Sequence, residues 1–148
     1  MAIQIEDARP EDKKVIMKLL QQGDLPTDDL PLNLPDFLIA KEHDTYVGVA
    51  GLERFGSVAL LRSVAVDSQH QGRQIAANLV EQLLEKAKSA KMHELYLITT
   101  TADRYFERYG FKPVDRQQVP TAIQQTQQFT ELCPASAVVM KRVLDQGE

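Results

Sequence analysis

The stretch that decides the fold runs from Val58 to Ala90 and reads VALLRSVAVDSQHQGRQIAANLVEQLLEKAKSA. Its first part, Val58–Val66, is almost wholly apolar, which is typical of a central strand covered on both faces. A polar segment follows, and apolar residues at helical spacing then predict a helix of about four turns from near Gln74 to Ala90. A buried strand that leads into an amphipathic helix indicates an α/β protein.

Further elements are predicted on both sides of this unit. Upstream, the pattern predicts a strand at Ile3–Ala8, a helix at Asp12–Gln22, a short helix plus loop at Leu25–Asp36, and a hairpin of Phe37–Lys41 and Tyr46–Glu53. Downstream, it predicts strands at Glu94–Thr99, Phe111–Val114 and Ala137–Val143, with helices at Ala102–Tyr109 and near Thr121–Leu132. The sheet is therefore mixed, with an antiparallel front and a right-handed parallel crossover from Val58–Val66 to Glu94–Thr99.

Length and composition limit the class of protein. The chain has 148 residues, 43% apolar and 26% charged, which favours one globular domain over residues 1–148. The net charge of −4 argues against a nucleic-acid partner. No apolar run reaches the ~18 residues of a membrane span, and no signal-peptide pattern opens the sequence. The single Cys133 excludes an internal disulfide and fits the cytoplasm, and His43, His70 and His93 show no metal-ligand spacing.

The junction between the central strand and the long helix is a candidate anion site. Free N–H groups at a helix start, together with the helix dipole, bind anions such as phosphate. Arg73 adds a side-chain donor, and Gly72 allows a ligand to approach the backbone. Most strand–loop–helix junctions bind nothing, so these residues alone leave both interpretations open.

Two segments of the chain resemble motifs of the GNAT superfamily of N-acetyltransferases. Gln71-Gly72-Arg73-Gln74-Ile75-Ala76 is similar to the acetyl-CoA motif [Q/R]-x-x-G-x-[G/A], with Gln74 where the middle glycine is usual. The segment TADRYFERYGF, residues 101–111, resembles the second motif, a helix that ends in Gly-Phe. The resemblance implies a GNAT-like three-layer fold, with helices on both faces of a mixed central sheet of about seven strands.

Three segments resemble a narrower group: GVAGLERFGSVALLRSVAV, ELYLITTTADRYFERYGF and FTELCPASAVVMKRVL. They are similar to acetyltransferases associated with arsenic-resistance operons and, secondarily, to amino-acid N-acetyltransferases of the N-acetylglutamate synthase type. The resemblance implies an acetyl-CoA-dependent N-acetyltransferase that acts on a small amine, either amino-acid-like or an arsenical or antibiotic. A non-catalytic acyl-CoA sensor and a protein or peptide N-acetyltransferase remain alternatives. The apolar final strand offers a contact for a homodimer.

The resemblance also assigns residues to acetyl-CoA. It implies that Val64, Ala65 and Val66 pair their backbone with the pantetheine arm. The pyrophosphate would be held at Gln71, Gly72, Arg73, Gln74, Ile75 and Ala76, and the cofactor would contact Tyr105 and Phe106. At Gln74 we expect a helical backbone, because glutamine is a good helix former; a positive φ there would weaken cofactor binding.

Glu53 is the candidate general base. It ends the strand VGVAGLE beside the presumed reaction centre, where a carboxylate can accept the ammonium proton directly or through water. The alternative is a solvated or ion-paired glutamate. No acid for the leaving thiolate is expected. Many relatives carry tyrosine where this chain has Phe106, and phenylalanine cannot donate a proton. Tyr105 is not a simple substitute, because one residue along a helix rotates the side chain by roughly 100°.

Arg62 and Thr100 are candidate substrate-binding residues. Strand alternation places Arg62 on the face of Leu60 and Val64, and a buried arginine needs a partner. It either pairs with Glu53 or holds the carboxylate of an amino-acid-like substrate by a two-pronged contact. Thr100 follows a strand, and its hydroxyl either contacts cofactor or substrate or caps the next helix.

Overall fold

The apolar runs of the sequence become strands in the computed structural model of the chain, which describes residues 3–22, 36–70, 74–99, 103–126 and 137–144. The strands in this part are β1 (Ile3–Asp7), β2 (Phe37–Glu42), β3 (Thr45–Phe55), β4 (Val58–Val66), β5 (Glu94–Thr99), β6 (Lys112–Pro113) and β7 (Val138–Val143). The helices are α1 (Lys13–Gln22), α2 (Ile75–Ser89), α3 (Asp103–Glu107) and α4 (Thr121–Gln124), and short 3₁₀ turns occupy Pro10–Asp12, Ser68–His70 and Arg116–Gln118.

The strands form one seven-stranded mixed sheet in the order β1-β2-β3-β4-β5-β7-β6. β1 pairs with β2 and β2 with β3 in antiparallel register, as the predicted front requires. β4 pairs with β5 in parallel over Val58–Leu60, and α2 is the crossover between them. β7 lies antiparallel between β5 and β6. The prediction of an α/β fold with a mixed sheet and a parallel crossover is confirmed.

Two compact units divide the chain. One comprises Met1–Leu52 and Ser63–Lys86, and the other comprises Glu53–Arg62 and Ala87–Glu148. The core of the first unit consists of Ile16, Leu19, Leu20, Phe37, Ile39 and Val49. The core of the second consists of Leu60, Tyr96, Val119, Ile123 and Val139. The expectation of a single domain over the whole chain stays a prediction.

Gly48 allows the first turns of α2 to pack closely on β3. A Cβ at this position would lie 2.9 Å from Ile75 Cγ2 and 3.1 Å from Leu79 Cδ1, closer than side-chain atoms normally approach. Ile75 and Leu79 are themselves buried. The start of α2, where the sequence predicts an anion site, is therefore seated directly on the sheet.

Several element boundaries differ from the prediction. α2 begins at Ile75 rather than Gln74. α3 ends at Glu107, because the chain turns there and reaches Gly110 with a φ of 86°. The predicted strand Phe111–Val114 is reduced to Lys112–Pro113, and α4 ends at Gln124. The predicted helix and loop at 25–36 lie outside the described residues except for Asp36.

Candidate active site

The backbone of β4 is irregular next to Arg62. Ser63 has a φ of 60°, which a regular strand does not contain and which is typical of a bulge. Arg62 and Ser63 are both buried, at 3% and 6% exposure, whereas Val64, Ala65 and Val66 are half-buried. The prediction that Arg62 is buried is confirmed. A regular strand would place the side chains of Arg62 and Val64 on the same face of the sheet. The positive φ of Ser63 interrupts this alternation.

Arg62 and Glu53 form an ion pair. Arg62 Nη1 donates to Glu53 Oε1 at 3.0 Å; the arginine side chain has no exposed surface, whereas that of the glutamate is 30% exposed. A buried guanidinium is stable only when it is paired, so the carboxylate compensates its desolvation and is in turn held in one orientation. Of the two alternatives for Arg62, the structure shows the pairing with Glu53.

The segment between β4 and α2 is fixed by hydrogen bonds from four consecutive backbone N–H groups. Asp67 N–H donates to Val47 O in β3 at 2.8 Å, and Ser68 N–H donates to Gln22 Oε1 in α1 at 3.1 Å. Gln69 N–H donates to Asp67 Oδ2 at 3.2 Å, and His70 N–H donates to Asp67 O at 2.8 Å. All four donors are satisfied within the protein, so this segment is an anchor rather than the anion site itself.

Two carboxylates flank the His70 ring. Nδ1 lies 2.7 Å from Asp67 Oδ2, and Nε2 lies 3.3 Å from Glu42 Oε1 at the end of β2. Gln22 Nε2 also donates to Asp67 Oδ1 at 3.3 Å. The hydrogen bond from His70 is the main influence that lowers the pKa of Asp67, and partial burial opposes it. Asp67 therefore remains a carboxylate at neutral pH.

Gln74 has a left-handed backbone with a φ of 62°. The expectation of a helical backbone at this position is therefore wrong, although Gln74 O does accept the N–H of Asn78 at 3.1 Å and so belongs to the start of α2. A residue with a Cβ adopts this conformation at a cost of about 1–2 kcal/mol, which explains why glycine suits the position. Ile75 is buried and Ala76 half-buried.

Phe106 belongs to an aromatic cluster. It is 8% exposed, and its ring meets Tyr105 edge-on at 5.1 Å and Phe111 at 6.0 Å between centroids. The hydroxyls of Tyr105 and Tyr109 are 3.3 Å apart. Phe106 therefore packs inside this cluster, and contact of Tyr105 and Phe106 with a cofactor stays a prediction.

Four of the predicted site residues lie outside the described part of the chain: Gln71, Gly72, Arg73 and Thr100. Within the part that is described, no group of three or more His, Cys, Asp or Glu residues is suited to a metal ion. The helices of that part are also too short or too polar to cross a membrane.

Sequence reasoning missed the network around His70. The sequence shows no metal-ligand spacing for His70, and the spacing of Asp67 and His70 in a polar loop is the one local signal for their contact. Glu42 and Gln22 come from other elements, and no sequence pattern connects them to the loop.

The chain is similar to known proteins of one family. The chain matches the family model described as "Acetyltransferase (GNAT) family" over residues 6–111, which is most of its 148 residues. The chain therefore belongs to the GNAT acetyltransferase family. The matched region contains Glu53, Arg62 and the whole junction between β4 and α2.

The curated relatives are amino-acid acetyltransferases. The protein of that name from Escherichia coli (strain K12) is 28% identical over 120 residues, which are 76% of this chain and 26% of the relative. Its namesake from Mycobacterium tuberculosis is 25% identical over 114 residues, 74% of this chain and 62% of the relative. The chain thus spans about a quarter of the length of the Escherichia coli relative.

Solved structures establish the same fold. N-acetylglutamate synthase from Neisseria gonorrhoeae, complexed with coenzyme A and N-acetyl-glutamate, has a TM-score of 0.83 at 18% identity, covering 98% of this chain and 36% of that one. A Mycobacterium tuberculosis protein in complex with CoA and NLQ has a TM-score of 0.81 at 20% identity, with 96% and 99% coverage. None of these similar proteins is named for arsenic resistance, so that narrower resemblance is not shown.

Proposed function

We propose that this chain is an acetyl-CoA-dependent N-acetyltransferase whose acceptor is the amine of a small, amino-acid-like molecule. The observation that carries the proposal is the family match over residues 6–111. The curated relatives are named amino-acid acetyltransferases, and two similar structures were solved with CoA, which supports both the donor and the class of acceptor.

The junction between β4 and α2 is the proposed site of the donor. Bound acetyl-CoA supplies an acetyl thioester at one end and phosphate groups at the other. The backbone N–H groups of Asp67–His70 already donate hydrogen bonds within the protein. We therefore assign phosphate binding to Gln71–Ala76, at the start of α2, where the helix dipole favours an anion. The register of β4 with β5 ends at Leu60, and β4 continues to Val66. Val64, Ala65 and Val66 in this extension are the proposed contacts of the pantetheine arm.

Glu53 is proposed as the group that accepts the proton of the acceptor amine. An ammonium group is not nucleophilic, so the reaction needs a base within hydrogen-bond reach, directly or through one water. Arg62 orients the Glu53 carboxylate through one oxygen, and the partial exposure of Glu53 leaves it accessible from solvent. Phe106 cannot donate a proton, and the thiol of CoA is acidic enough to leave without a dedicated acid.

The finer expectations belong to the proposal as well. Arsenicals and antibiotics that resemble amino acids, such as those of the phosphinothricin type, carry an amine and stay within the proposed acceptor class. The cytoplasmic location, the homodimer and the absence of a nucleic-acid partner stay predictions. Thr100 stays a predicted substrate contact.

The test is a thiol-release assay with purified chain, acetyl-CoA and a panel of acceptors, in which product masses identify the acetylated molecule. The panel contains glutamate, glutamine, other amino acids, phosphinothricin, polyamines and a short peptide. We expect turnover with one or more of the amino-acid-like acceptors. Saturable CoA binding without turnover of any acceptor would instead support a sensor, and turnover of the peptide alone would support a peptide acetyltransferase.

A further inference from the structure

The segment from Asp67 to His70 is connected to three other parts of the first unit. Its backbone reaches β3 through Val47 and α1 through Gln22, and its His70 side chain reaches Glu42 at the end of β2. Such a segment cannot shift without breaking several hydrogen bonds at once. The direction in which the chain leaves β4 for α2 is therefore fixed by polar contacts.

His70 is the centre of this arrangement, because both of its ring nitrogens face carboxylates. Each contact, Nδ1 with Asp67 and Nε2 with Glu42, is a hydrogen bond only when that nitrogen carries a proton. The ring therefore connects the segment Asp67–His70 to the end of β2.

We infer that His70 is a positioning residue for acetyl-CoA, which it serves by holding Asp67–His70, the segment that follows β4, in place. This inference rests on the proposed function, since it assumes that the start of α2 binds the phosphates of the donor. His70 does not touch the donor in this account. It acts through the backbone that it fixes.

The test separates the phosphate end of the donor from the thioester end. His70→Ala, His70→Asn and His70→Gln are compared with wild type, using acetyl-CoA and the short donor S-acetyl-N-acetylcysteamine, which has no phosphate. His43→Asn is the matched control, because His43 is exposed in the β2–β3 turn with a φ of 56°, a conformation that asparagine tolerates.

His70→Ala is expected to raise the KM and the Kd for acetyl-CoA about tenfold, the size of a lost charge-assisted hydrogen bond. The rate with the short donor and the KM for the acceptor should not change. The KM and the Kd of His70→Asn and His70→Gln should lie between those of wild type and His70→Ala. The asparagine amide keeps a donor near Asp67, and the glutamine amide keeps one near Glu42. His43→Asn should behave as wild type with both donors.

Two results would overturn the inference alone: an unchanged KM for acetyl-CoA in all three variants, or an equal loss with both donors. The second indicates a general structural defect. If His70→Ala does not fold, the two amide variants provide the same comparison. If wild-type chain does not bind acetyl-CoA at all, the proposed function fails together with the inference, so the two failures are distinguishable.

Discussion

Asp67 and Glu53 are two carboxylates with different surroundings, and the difference supports a structural role for Asp67 and the proposed catalytic role for Glu53. Asp67 accepts hydrogen bonds from His70, from Gln22 and from the backbone of Gln69. Among the described residues, Glu53 accepts a side-chain hydrogen bond from the buried Arg62, and it remains 30% exposed. A carboxylate whose oxygens are all engaged holds the backbone in place, whereas one that is oriented but still accessible can exchange a proton.

The largest effect should come from removing the charge of Glu53. Glu53→Gln is expected to lower kcat/KM by about 10²–10⁴, the usual contribution of a general base. The melting temperature should also fall, because the glutamine amide oxygen can still accept from Arg62 but no longer compensates the charge of this buried guanidinium. Steady-state kinetics over the full pH range provide the measurement.

The matched control is Asp67→Asn, which should alter the KM for acetyl-CoA more than kcat, because its carboxylate contacts no reacting group in this account. If Glu53→Gln keeps full kcat/KM at every pH, or if both variants lose kcat equally, the distinction between the two carboxylates does not stand.

A smaller effect is expected at Gln74. Glycine adopts a φ of 62° without the cost of about 1–2 kcal/mol that glutamine pays, but it loses more chain entropy on folding. Gln74→Gly should therefore raise the free energy of unfolding by about 0.5–1 kcal/mol in urea titrations. It should leave the KM for acetyl-CoA unchanged or lower it.

Gln69→Gly is the control in the same segment, since Gln69 lies in a 3₁₀ turn and its φ is not positive. This substitution should lower the free energy of unfolding. Equal losses in the two variants would contradict the assignment of backbone strain to Gln74.

The smallest effect is a dependence of stability on acid pH. The pKa of Asp67 is lowered from its ordinary value of 3.8 in the folded state, so this group stabilises the fold above that pH. The contribution is lost as the pH falls through the folded-state pKa, because the unfolded chain then binds more protons. The difference in the free energy of unfolding between wild type and Asp67→Asn should be constant above about pH 5. It should shrink as the pH falls below 3.8, the ordinary pKa of an aspartate. A difference that grows on acidification would contradict the role of His70 as the partner of Asp67.

The sequence predicts the parts of this fold that depend on local periodicity. The apolar run Val58–Val66 and the apolar stripe of α2 correspond to a central strand and a packed helix, and the Glu53–Arg62 pair follows from the need of a buried arginine for a partner. The backbone of Gln74 could not be predicted, because helix propensity favours a helical conformation that this position does not adopt.

The His70 network shows a different limit. Its partners Glu42 and Gln22 are brought to the loop by the sheet and by α1, and their separation in sequence gives no periodic signal. The positive φ of Ser63 is likewise not indicated by the sequence, since Val58–Val66 contains no glycine or proline.

The central claim is that this chain transfers an acetyl group to an amine with Glu53 as the base. The most direct measurement follows deuterated acetyl-CoA by mass spectrometry in the presence of the acceptor that the panel identifies. We predict that the deuterated acetyl group appears on the acceptor nitrogen with wild-type chain and is reduced by about 10²-fold or more with Glu53→Gln. Saturable binding of acetyl-CoA with no label on any acceptor, or equal labelling by both proteins, would contradict it.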